Sequence, residues 1–213
     1  MNSAATRIGG LCGVASALVI IPAYLVGSPE TPASGSEALR YFDSAASFLT
    51  ANGSLPLLHL LFGLVFIGVL VAVLRNAAGP AGAVYIALIG GAVFLTLTAA
   101  GLAAEVAVPA AIVQFNDITV TDYAQPFLAL SFWLYHYSQI GSAALIFATG
   151  FVVWRTGALP KWTVILAVLG VPALLHAWLG LPSAYCTVAW FGLTGLVLLL
   201  LPPKAPQSQS VGA

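Results

Sequence analysis

The sequence predicts an all-α fold: a polytopic membrane helix bundle of six transmembrane helices, with one amphipathic helix lying on the outer surface. Three observations carry this. First, 61% of the 213 residues are hydrophobic, 6% are charged and mean hydropathy is +1.04. A soluble domain has about 25% charged residues, and a chain this poor in charge cannot cover a water-facing surface. Second, six apolar stretches each approach the ~20 residues that a helix needs to cross a hydrocarbon core. Third, bases and acids fall in alternate connections, as an inside–outside topology requires.

The first span is read as about residues 8–26, after Arg7. A secretory signal would have an apolar part of only about 7–15 residues followed by a small-residue cleavage site. This run is longer and leads into Gly27-Ser-Pro-Glu-Thr-Pro, so a retained span is expected. Ser34 and Glu37 have capping-box spacing. From Glu37 to Leu49, the residues Leu39, Phe42, Ala46 and Leu49 share one helical face, opposite Glu37, Arg40, Ser44 and Ser47. That pattern predicts the surface helix, a lid over the outer mouth of the bundle.

The second span is about 55–74, with Pro56 in its first turn, where a missing N–H costs nothing. The third is about 81–108, ending before Pro109. Its Ala83, Ala87 and Gly91 form a small-residue stripe suited to close packing on a neighbouring helix of the same chain. The fourth is about 127–154 and the fifth about 162–179, where Pro172 predicts a kink. Leu181–Ala184 reads as a turn, followed by the sixth span at about 185–201. Residues 1–201 are thus expected to be a single transmembrane domain, and 202–213 a disordered cytoplasmic tail. Cys12 and Cys186 fall at opposite membrane faces in this topology, so no disulfide is expected between them.

Orientation follows from the bases. With both termini cytoplasmic, Arg7, Arg75, Arg155, Lys161 and Lys204 are all inside, and only Arg40 is outside. Glu30, Glu37, Asp43, Glu105, Asp117 and Asp122 all fall outside. The expected location is therefore the cell membrane, multi-pass. The inner loops Arg75–Pro80 and Arg155–Pro160 share a spacing that fits either a duplicated hairpin or two ordinary interfacial anchors.

Candidate site residues lie at matching depths. At ~1.5 Å rise per residue, His59 is about 24 Å from Arg75, His136 about 28 Å from Arg155, and His176 about 22 Å from Lys161. Glu105 is about 31 Å from Val84 on the same rule. On the fourth span Ser131, Tyr135, Ser138, Ser142 and Thr149 share a face, with His136 and Gln139 beside it. In hydrocarbon such groups need protein partners. The candidate polar cluster is therefore His59, Glu105, Tyr135, His136, Gln139 and His176. Its structural alternative is a set of interfacial and helix-bonded side chains without a shared ligand.

Four functions compete: an accessory or scaffold membrane protein; a carrier of protons or solute through the His/Glu cluster; a haem or divalent-metal redox protein using His59, His136 and His176; and an intramembrane metal hydrolase. The accessory reading leads, and no catalytic residue is assigned. Local metal motifs such as His-Glu-x-x-His are absent. For haem, His59 and His176 are the better-matched pair in depth. Partners are the lipid bilayer and, for the accessory reading, another membrane protein. Zero net charge gives no basic face for nucleic acid. The lack of a P-loop, a dinucleotide fingerprint or a Gly-x-Ser-x-Gly elbow gives no support for a nucleotide or for serine-hydrolase chemistry. The general layout carries no motif from which a residue role can be borrowed.

Overall fold

The computed structural model describes residues 3–26, 34–36, 45–115 and 123–203. Among these residues every regular element is helical, and the chain is an all-α bundle of membrane type. The elements are α1 (Ser3–Val26), α2 (Ala45–Asn52), α3 (Leu55–Ala78), α4 (Gly82–Phe115) and α5 (Ala124–Thr156). A 3-10 helix (Lys161–Leu169) follows, then α6 (Gly170–Leu174), α7 (His176–Leu179) and α8 (Leu181–Leu200). Among the described residues five helical segments are long and apolar enough to cross a membrane, with α2 and α3 counted as one. The sixth apolar stretch is present but broken.

Two sub-bundles build the fold. In one, α1 lies between α3 and α8; in the other, α4 and α5 form the most extensive pairing and the broken stretch packs on α5. Glycine makes the closest crossings possible. A Cβ on Gly90 of α4 would sit 2.7 Å from the Gly141 carbonyl oxygen of α5, and one on Gly141 would sit 2.6 Å from that of Gly90. Gly10 and Gly195 meet in the same way between α1 and α8. Lipid offers helices little hydrophobic reason to associate, so such backbone approach carries much of the packing. Phe66, Phe94, Trp190 and Phe191 fill the space between the sub-bundles, with Phe66 and Phe191 centroids 5.0 Å apart. Large apolar side chains such as Leu61, Ile89, Ile140 and Trp178 point outward, as lipid-facing positions do.

Several elements differ from expectation for clear reasons. Helix α4 runs through Pro109 to Phe115 instead of ending at residue 108. Its extension is held by a satellite cluster in which Val108 packs with Phe48, Ala124 and Leu128. Residues 181–184 are not a turn. Gly180 takes the reversal alone, at φ 61°, a conformation that suits glycine. Leu181 and Pro182 then start α8 directly, since proline is tolerated in a first turn. The predicted surface helix falls mainly on residues 37–44, outside the described residues. Its described end, α2, buries Phe48 and leaves Ala46 exposed, so the buried face is one step away from the predicted one. The two Arg–Pro loops also differ in backbone: Gly79 has ψ −159° and Gly157 has ψ 25°. Cys12 and Cys186 are free.

The predicted fifth span shows the largest departure. Its first half is wound as a 3-10 helix from Lys161 to Leu169, opened by Thr163, whose N–H and hydroxyl both donate to the Pro160 carbonyl at 2.9 and 2.8 Å. Pro172 lies inside α6, and the helix breaks just after it at Leu175 (φ −95°, ψ 16°). A 3-10 helix rises ~2.0 Å per residue, so His176 moves from about 22 Å to about 26 Å from Lys161. That shift carries it towards the level computed for His136.

Candidate functional site

The polar groups of α5 form one buried seam. Ser131, Tyr135, Ser138, Gln139, Ser142 and Thr149 are all buried, because 3.6-residue periodicity places them on the face turned towards α4 and α8. Helix α8 answers with Ser183, Thr187 and Thr194, likewise buried. These α8 residues are absent from the sequence-based cluster, although their spacings of four and seven put them on one face.

At one end of the seam lies Glu105, only 2% exposed. The Tyr135 hydroxyl donates to its Oε2 at 2.9 Å. Gly101, one turn before Glu105, makes this possible. A Cβ there would stand 3.2 Å from the Tyr135 ring, so glycine seats the ring against α4. The second carboxyl oxygen, Oε1, is buried with no hydrogen-bond partner among the described residues. Tyr24 of α1 lies within electrostatic range of both groups.

Next along the chain from Tyr135, the ring of His136 stacks with that of His176, with centroids 6.0 Å apart and planes 20° apart. Phe132 stacks on His176 at 5.9 Å, and Trp133 meets His136 edge-on. His176 Nδ1 is hydrogen-bonded to the Ser183 hydroxyl, which also donates to the Gly180 carbonyl at 2.7 Å. With the hydroxyl proton on Gly180, the Nδ1–H donates to Ser183, and Nε2 is left as a bare acceptor. Nε2 of His176 and Nδ1 of His136 are both buried without a hydrogen-bond partner among the described residues.

Further along, Thr187 donates to Gln139 Oε1 at 2.8 Å, and Ser142 reaches the same oxygen at 3.2 Å. Gln139 Nε2 donates to Ser138 Oγ at 3.4 Å. This knot ties α5 to α8 and satisfies most of its own members.

The structure thus brings Glu105 to Tyr135, and His136 to His176, but it places His59 elsewhere. His59 Nδ1 lies 3.0 Å from the Ser16 carbonyl oxygen and 2.9 Å from its hydroxyl, which itself donates to the His59 carbonyl. Its ring packs on Phe191. His59 is a pin between α1 and α3, and its ring neighbours are not those of His176. Among the described residues no three His, Cys, Asp or Glu side chains are grouped to hold a metal ion. The chain matches no family model, no curated protein and no solved structure. The chemistry of the seam rests on its geometry alone.

Proposed function

We propose that this multi-pass membrane protein is a proton carrier whose proton-binding group is Glu105, with Tyr135 as its positioning residue and the His136–His176 pair beside it. The observation that carries this reading is the state of the carboxyl. It is buried in a span, has one donor on one oxygen, and has no described partner on the other. A bare carboxylate is costly in such surroundings, and a single hydroxyl does not offset that cost. The site calls for a positive partner, and the proton is the smallest. Glycine-tight crossings favour a proton over a solute as the cargo. In this reading residues 1–201 form the single membrane domain, in the cell membrane, with both termini cytoplasmic as the distribution of bases implies.

The test is flux. Purified protein in liposomes with a trapped pH-sensitive dye should acidify the lumen under an imposed potential. Glu105→Gln should abolish that flux while the thermal midpoint in detergent stays within a few degrees. Equal flux in the two proteins would defeat the proposal. The self-satisfied Gln139–Ser142–Thr187 knot favours a second reading, the accessory or scaffold protein with a purely structural seam. That reading expects no flux from the wild type and a membrane-protein partner that co-purifies with it.

A further inference from the structure

Where α5, α8 and the 3-10 helix meet lies a small, partly open cavity lined by Thr149, Thr163, Thr194, Gly150, Ala167 and Trp190, among others. The space open to a water centre is about 10 Å³, room for one water. Two of the lining groups, Thr149 Oγ1 and Thr194 Oγ1, are buried without a hydrogen-bond partner among the described residues, and their residues are 4% and 3% exposed. A helical threonine ordinarily resolves this by bonding the carbonyl one turn back. Thr156 of the same helix does so, reaching the Val152 carbonyl at 2.7 Å. Thr149 and Thr194 do not.

We infer that this cavity is a binding site for one structural water, which bridges Thr149 of α5 and Thr194 of α8. Thr163 supplies a third partner: its hydroxyl proton is committed to Pro160, so its oxygen accepts from the water. Three partners is the usual complement for a buried water. The site also gives the 3-10 helix a polar contact with α5 where the two run close, since a Cβ on Gly150 would lie 3.0 Å from that of Ala167. Thr149 is about 21 Å along α5 from Tyr135, so the site is separate from Glu105 and independent of the proposal made for it.

Valine has the shape of threonine without the hydroxyl. Thr149→Val and Thr194→Val are each compared with wild type for the thermal midpoint in detergent, together with the double variant. Thr149→Ser and Thr194→Ser keep a hydroxyl and serve as controls. With a bridging water, each valine lowers the midpoint because it strips the water of a partner, the double variant falls no further than the worse single one, and each serine stays closer to wild type than its valine. A high-resolution structure then shows density within hydrogen-bond distance of both hydroxyls. If both single valines raise the midpoint, the hydroxyls were unsatisfied and the cavity dry, and the inference is overturned. Absent density at that position overturns it equally.

Discussion

A histidine among apolar helices has two ring nitrogens to satisfy, and the three here differ in how far they do so. His59 exchanges hydrogen bonds with Ser16, side chain to backbone in both directions, and so joins α1 to α3. His176 uses Nδ1 on Ser183, while its Nε2 and the Nδ1 of His136 have no hydrogen-bond partner among the described residues. His59→Phe should therefore be a stability variant. Hydrogen bonds between membrane helices average about 0.6 kcal/mol, with a maximum near ~1.7, and the loss here should lie in the upper part of that range. Unfolding in a detergent series measures it, and proton flux per folded molecule should stay at the wild-type level. At this scale the sequence was legible by depth but not by direction. Rise per residue put His59, His136 and His176 at similar levels, yet nothing in the spacing says which way round the bundle each faces. The α5 seam was readable because five of its members repeat on one face. Ser183, Thr187 and Thr194 carried the same signal in weaker form, since isolated hydroxyls in an apolar helix so often bond their own backbone.

At the scale of elements, the contact that organises one sub-bundle is the meeting of Gly90 with Gly141. Gly90→Ala would press a methyl group to within 2.7 Å of backbone, where no side chain can yield. Overpacking of this kind costs about 1–3 kcal/mol. Gly68→Ala is the matched control, because a Cβ there meets nothing within 4 Å and alanine favours the helix by ~1 kcal/mol. The two variants should move the thermal midpoint in opposite directions; movement in the same direction would show that the crossing is slack. Small residues on the third span were visible in the sequence as Ala83, Ala87 and Gly91, and Gly91 does pack against Ile67 of α3. The tighter α5 crossing uses Gly90 instead, because two neighbouring helices claim adjacent stripes of α4. Caps and breaks were only partly legible. Pro172 announced a disturbance, but the 3-10 winding before it depends on packing against α5 that no local pattern encodes.

For the molecule as a whole, composition identified a membrane protein, because a chain with 6% charge cannot cover a water-facing surface, and the long apolar stretches made it an all-α bundle. Orientation rests on the bases, five of which share one side in a six-span arrangement. Reporter fusions after Ser34, Gly79, Val120 and Gly157 should alternate outside, inside, outside, inside. The third and fourth positions bracket α5, and the second and third bracket α4. Two neighbouring fusions on the same side would show that one of these segments does not cross, and Glu105 would then need a different account.

The winding of Lys161–Leu169 has a mechanical consequence. Nine residues converted from 3-10 to α would shorten by about 4 Å, close to the difference in hydrocarbon thickness between thin and thick cellular membranes, roughly 5 Å. The other spans can follow a change in thickness by tilting or by deforming the lipid around them. The Lys161–Leu169 stretch can instead act as a strut of adjustable length. Amide I infrared spectra of the protein in short-chain and long-chain lipids should show the 3-10 component fall in the thinner bilayer and rise in the thicker one. A component that does not change would mean the strut is fixed. As it shortens, His176 would slide along His136, so bilayer thickness would reach the polar pair without any ligand taking part.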